Sequence, residues 1–286
     1  MGCGAGIFAP RELNDAEQDE LFQLACQYME VDCVQKCLNE GKIEIDAPDC
    51  LSSFRDNANT ITQWAEKLRE MSEAGESGSG ITGMVWGAAK AAGELGGRAV
   101  AVTMETGASA VHAFIDKFDK EFSSVGSDVL QMKKMEVIEV FRNYIFKYDF
   151  KNPKALCRNP TSPNQITTIL TTTAAGALAK PMLDIVQKEI NENTLVKAWD
   201  ATLETMEECV KKVGSIIDIS SWNWCKIELD INQYIVEKTI MSMLISMGTF
   251  EAANRRDPAG KTTKPKLFEA CFTADKVLTT EDQKNK

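Results

Sequence analysis

The chain has 286 residues, a net charge of −10, 44% hydrophobic residues and 26% charged residues; wholesale disorder is excluded and a large core can be built. Nine cysteines are too few for a disulfide-dense scaffold, and a single histidine, His112, excludes any mechanism or metal site that needs two. Residues 1–80 carry 16 acids and 6 bases and so hold the whole net charge; lysines and arginines form no stripe, so nucleic acid is not an expected partner.

At the start of the chain, Met1-Gly2-Cys3-Gly4 offers Gly2 as a myristate acceptor once Met1 is removed and Cys3 as a palmitate acceptor, although Gly6 stands where the acceptor pattern has Ser or Thr. One acyl chain binds a membrane only marginally, and the acidic residues that follow are repelled by an anionic leaflet, so Cys3 has to supply the second anchor. No basic and apolar leader is recognised, so the expected location is the cytoplasm, at the cytosolic face of a membrane.

Residues 15–40 are predicted to form an amphipathic helix, with Asn14 as N-cap, Glu17 three residues on and Gly41 as terminator. Cys26, Cys33 and Cys37 fall on one face of it and read as buried thiols; with no CxxC pair and only Cys50 nearby, no metal site is expected. A loop follows at 42–50, then a helix at about 52–73 carrying Phe54, Ile61, Trp64 and Leu68. Gly75 to Gly80 reads as a Gly/Ser hinge. Residues 81–121 are rich in small residues and predict two or three helical segments with a bend at Gly93, Gly96 and Gly97. Helices are expected at about 125–148, 166–191, 194–217 and 230–253, with a Pro/Asn linker at 149–164, a short helix at 264–272 and a polar tail. No segment is expected to cross a membrane, since charges interrupt the apolar run of 81–121.

The expected fold class is all-α: a multi-helix bundle with an acidic N-terminal helical subdomain. The expected organisation is an acidic helical region 1–74 with a lipid anchor, a hinge 75–80, a small-residue-rich helical region 81–148, the linker 149–164, a helical domain 165–273 and a tail 274–286.

Chemistry-bearing motifs are few. Gly78 to Gly83 spells GxGxxG, but helix-like sequence precedes it where a dinucleotide site needs a strand, so no cofactor is implied. His112 lies between Val111 and Ala113 in a helical run and reads as a structural residue. The segment 81–115 fits a tight helix seam better than a membrane interface, because its polar face is thin and only weakly basic.

From Leu229 to Phe272 the chain carries Leu229, Asp230, Tyr234, Glu237, Lys238, Arg255, Asp257, Pro258, Ala259, Thr262, Thr263 and Phe272 at matching positions of a pattern. These residues, with a looser match around Leu178 to Val186, resemble an uncharacterised bacterial family, the domain of unknown function numbered four thousand one hundred and ninety-seven. The resemblance covers about residues 165–273; Ser242-Met243-Leu244 and Thr249-Phe250-Glu251 depart from the family pattern. It implies a helical fold and no particular reaction. Physically, Asp230 can cap the last long helix, Arg255 suits its C-terminal end, and Thr262 or Thr263 can cap the next one. Tyr234, Glu237, Lys238, Arg255 and Asp257 are read as a fold-closing clasp in preference to a ligand site.

The expected function is a non-enzymatic peripheral membrane or interaction protein held by acyl chains on Gly2 and Cys3. The alternative is a soluble helical binder of an apolar small molecule in a cleft lined by Met, Trp and Phe, and the third reading is an enzyme using carboxylates or a thiol.

Overall fold

The structure, a computed structural model, describes residues 10–77, 94–215, 219 and 223–286. Among them it is all-α: α1 (Asp15–Glu40), α2 (Leu51–Ser77), α3 (Glu94–Met132), α4 (Lys134–Lys147), α5 (Pro153–Arg158), α6 (Gln165–Glu192), α7 (Thr194–Gly214), α8 (Ile231–Arg256) and α9 (Pro265–Phe272), followed by a 3-10 turn at Asp282–Asn285. The chain divides into two compact units that do not follow its order. The first gathers the described parts of Met1–Ile45, Gly126–Lys188 and Ile235–Lys286; the second gathers those of Asp46–Val125 and Glu189–Tyr234.

In the first unit α1 is the central helix. Its start carries the expected capping box: Asn14 Oδ1 accepts from Glu17 N–H at 3.0 Å, and Glu17 Oε2 accepts from Asn14 N–H at 2.9 Å. Its buried residues run round more than one face, from Leu21, Phe22 and Ala25 to Met29, Val34 and Leu38, and include Gln27, Glu30 and Asp32. A helix buried on several sides is not the amphipathic surface helix its acidic sequence suggested. α4, α5 and α9 pack on it. Gly126 of α3 permits the approach of α8, because a Cβ there would collide with Thr239 Oγ1 and touch Ile45. Residues 11–13 meet residues 278–280, where Leu13 N–H bonds Leu278 O and Thr280 N–H bonds Arg11 O, both at 2.9 Å.

The second unit is built on an aromatic core. Phe54 of α2 packs on Trp199 of α7 at 4.6 Å between ring centroids, and Phe118 of α3 on Trp199 at 5.3 Å and on Phe122 at 4.4 Å. Gly107 brings α3 close to α7, with space for a Cβ only 3.2 Å from Cys209 Sγ. Asn57 acts as a backbone mimic: its amide donates to Cys225 O at 2.8 Å and accepts from Cys225 N–H at 3.0 Å, so the loop before α8 is pinned to α2. Trp224 then stacks on Trp64 at 5.6 Å.

Several element boundaries differ from expectation. α3 continues through Gly96, Gly97 and Ser123-Ser124, where a bend and a break were expected. Long flanking runs of buried residues, Met104 to Ile115 and Phe118 to Leu130, outweigh the propensity cost of a few glycines. The chain breaks instead at Lys133, between α3 and α4. The 149–164 linker contains α5, opened by Pro153 at its first turn. α2 runs on to Ser77, and the remaining hinge residues 78–80, with GxGxxG at 78–83, lie outside the described residues, as do Gly2, Cys3 and residues 81–93.

α6 meets by length and composition the criterion for a membrane-crossing helix, which the expectation of no such segment did not foresee. Its buried apolar residues are Ile166, Leu170, Ala174, Leu178, Met182, Val186 and Ile190, one every four positions. Each step of four turns about 40° past a full revolution, so the buried apolar stripe winds round the helix. Pro181 falls on an exposed position of this helix, where the carbonyl it leaves unbonded is open to water.

Candidate functional site

The densest set of buried polar groups lies in the first unit, where α1, α6 and α8 meet. Glu30, Asp32, Thr167, Glu251 and Asn254 are all at most 3% exposed. On α8 the apolar series Ile240, Leu244 and Met247 continues at helical spacing into Glu251 and Asn254, and on α1 the series Cys26, Cys33 and Cys37 includes Glu30. The positions are core positions filled by carboxyl and amide groups, so each needs its partners inside the protein.

Those partners are present. Glu251 accepts the N–H groups of Ile166 at 3.2 Å and Thr167 at 2.8 Å, so a side chain of α8 caps the first turn of α6. Arg255, one turn further along α8, donates from Nε to Glu251 Oε1 at 2.8 Å and brings Nη2 within 2.7 Å of the same oxygen. The Arg255 guanidinium lies 4.9 Å from the ring centroid of Phe272 and 3.5 Å from Cys157 O, so it also ties α8 to α9 and α5. Glu30 faces the same turn of α6, with both carboxyl oxygens near Thr167 Oγ1 at 3.1 and 3.0 Å. Burial, reinforced by the neighbouring Glu251, pushes the Glu30 carboxyl well above the usual range.

A second cluster lies beside the first. Asp32 accepts from Asn254 Nδ2 and from Thr263 N–H, each at 2.8 Å, with Lys36 Nζ 3.3 Å away. Thr263 therefore does not cap α9; the N-cap is Lys264, which makes no side-chain capping bond, and its Nζ sits 4.8 Å from the ring centroid of Tyr28. Buried thiols complete the surroundings: Cys26 Sγ and Cys157 Sγ are 3.6 Å apart, and burial raises Cys37 and Cys271 to about 12. Such thiols are packing groups rather than nucleophiles.

Of the five residues read as a clasp, the structure places one in this layer. Arg255 joins α8 to α5 and α9 through the bonds above. Asp257 is exposed just past the end of α8, at the turn where Gly260 N–H bonds its carbonyl at 3.0 Å; its carboxylate fills the space a Cβ on Gly260 would need. Glu237 and Lys238 are exposed on α8. Tyr234 belongs to the second unit, where its hydroxyl donates to Asp46 O at 3.0 Å, and Asp230 caps α8 by accepting from Asn232 N–H at 3.0 Å and Gln233 N–H at 3.1 Å. Glu30, Asp32, Thr167, Glu251 and Asn254 were missed from sequence; the signal that could have found them is a polar residue standing in phase with an apolar stripe. His112 is half-buried on α3. Among the described residues no three side chains of metal-binding type gather.

This architecture defines a class, an all-α protein whose core is cross-linked by a buried carboxyl–arginine layer. The model of the protein family of unknown function DUF4197 matches residues 97–272, more than half of the chain, and the chain belongs to that family. The match takes in the expected C-terminal segment and begins further upstream, within α3. Neither the curated proteins nor the solved structures give a significant match. α1 lies before the matched segment, yet its Glu30 and Asp32 satisfy Thr167, Asn254 and Thr263 inside it.

Proposed function

We propose that this protein is a non-enzymatic helical scaffold held at the cytosolic face of a membrane by acyl chains on Gly2 and Cys3. The observation that carries the reading is the Met1-Gly2-Cys3-Gly4 sequence, which puts a myristate acceptor beside a palmitate acceptor. Two chains give the stable attachment that one does not. Two features of the first unit support it. Its buried carboxyl groups at Glu30, Asp32 and Glu251 are committed to holding α1, α6, α8 and the loop before α9 together. The same unit also exposes Met132, Met135 and Ile245, at 69%, 72% and 72%, which supplies apolar surface for an interaction role.

The test is membrane fractionation of the full chain expressed in cells, with the mass of its N-terminal peptide. Gly2→Ala is expected to release the protein into the soluble fraction, and Cys3→Ser to weaken its retention. An N-terminal peptide without acyl mass, together with soluble wild-type protein, would overturn the reading. Co-purification of an apolar small molecule with that soluble protein would establish the alternative of a ligand binder.

A further inference from the structure

Glu30 Oε1 and Oε2 both lie within hydrogen-bond distance of a single atom, Thr167 Oγ1, at 3.1 and 3.0 Å. A hydroxyl has one proton to donate and two lone pairs. It can share that proton between the two oxygens of a carboxylate, or donate to one oxygen of a carboxylic acid and accept from the other. An ionised Glu30 would have only that one shared hydroxyl proton to offset its charge, in a site where the residue is 0% exposed.

The neighbouring charges point the same way. From α8, Glu251 and Arg255 face the site; Arg255 Nε and two backbone N–H donors of α6 are spent on Glu251. From α1 itself, Cys26, Cys33 and Asp32 lie around Glu30, and Asp32 is engaged with Lys36, Asn254 and Thr263. α6 contributes Thr167, which is neutral. No cation bonds Glu30 directly in this set, and Arg255 is turned to Glu251.

We propose that Glu30 is a proton-binding site: at neutral pH it holds a proton, exchanges hydrogen bonds in both directions with Thr167, and on losing that proton to water at alkaline pH it unlocks the junction of α1 with the first turn of α6. The ionised state sets a second carboxylate beside Glu251 across Thr167, with no donor to replace the lost one. Like charges that share a small buried site cannot both be accommodated cheaply. The junction is thus a pH-sensitive latch between the N-terminal helix and the family segment.

The sign of the linkage follows from the raised folded-state value. A carboxyl that binds its proton more tightly when folded contributes stability that is fully present at acid pH and is lost as pH rises toward its folded-state value. Glu30→Gln mimics the protonated group, with an amide that can donate to Thr167 while its carbonyl accepts.

The experiment uses the full chain with side-chain carboxyl 13C-labelled glutamate, followed by NMR from about pH 6 to about pH 9, with urea midpoints over the same range. At neutral pH one glutamate signal is expected at the protonated position, shifting reversibly on alkalinisation and absent in Glu30→Gln. The wild-type urea midpoint is expected to fall across the range and that of Glu30→Gln to fall less. If Glu30→Gln does not fold, the wild-type carbon signal and the fall of the wild-type urea midpoint with rising pH decide together. Absence of a protonated glutamate there, or an unchanged pH slope in a folded Glu30→Gln, would overturn the proposal.

Discussion

Asn254 of α8 donates from Nδ2 to Asp32 Oδ2 of α1 at 2.8 Å, while its Oδ1 accepts from Lys36 Nζ at 2.5 Å. One amide thereby uses both of its ends on residues one turn apart on α1. Asp32 uses its other oxygen on Thr263 N–H, so the loop between α8 and α9 is held by the same carboxylate. Asp32→Ala strands the buried Asn254 amide, worth about 1–3 kcal/mol when left unsatisfied, and removes the acceptor of the Thr263 N–H. Urea unfolding is expected to show the loss, and Asp32→Asn, which keeps one acceptor, is expected to lose less.

Arg255 supplies the charge that Glu251 needs. Its side chain is 9% exposed and that of Glu251 0% exposed, so the pair is screened little by solvent. Arg255→Met leaves the carboxylate buried and unmatched, a loss of about 3–5 kcal/mol by the general cost of breaking a buried pair. Lysine at 255 does not restore it, because a single ammonium cannot serve Glu251, Cys157 O and the Phe272 ring at once. Replacing both members, Glu251→Leu with Arg255→Met, removes the stranded charge and is expected to recover part of the loss in the same unfolding measurement. The unrecovered part reports the cap that Glu251 places on α6.

At the start of α1, the Arg11 guanidinium and then the Asn14 N–H hold the Glu17 carboxyl at about 2, below the usual carboxylate range. A lowered value means that the stabilisation is complete above the ordinary carboxylate range and is lost as pH falls toward about 2. NMR shifts of Asn14 and Glu17 are expected to report loosening of the first turn over that acid window. Glu17→Gln is expected to remove this pH response while leaving the Asn14 side-chain cap in place. The acid response of Glu17 and the alkaline response of Glu30 lie on one helix and run in opposite directions.

The all-α class was legible because Phe54, Ile61, Trp64 and Leu68, and likewise Ile240, Leu244 and Met247, recur at helical spacing and are buried. The caps Asn14 and Asp230 were legible because a short polar side chain next to a free helix N–H is a local matter. The buried layer was not. Glu30 and Asp32 sit in a strongly acidic region, where a solvated face is the ordinary reading, and only partners more than a hundred residues away turn them inward. The continuity of α3 was missed for a related reason: Gly96 and Gly97 are locally unfavourable to a helix, and tertiary burial further along the helix overrides them. α5 is six residues long, too short for any period to show, and is fixed by the packing of Cys157 and Leu156.

Thiol reactivity separates the buried cysteines from the rest. Cys26, Cys33, Cys37, Cys157, Cys209 and Cys271 are buried, whereas Cys50 and Cys225 are half-buried. Burial raises Cys37 and Cys271 to about 12, which leaves almost no thiolate at neutral pH. Mass-resolved alkylation of native protein is expected to modify Cys50 and Cys225 first, with the six buried thiols labelled only on unfolding. Early labelling of Cys26 or Cys157 would contradict their placement between α1 and α5.

Whether α1 is the core helix of a unit built mainly from the family segment is tested most directly by hydrogen exchange on the intact chain. Amides from Leu21 to Leu38 are expected to exchange in the slowest class, together with those of α8 from Ile240 to Asn254, because the two helices share buried polar bonds and open only with the unit as a whole. Fast exchange throughout α1 with α8 still fully protected would contradict it.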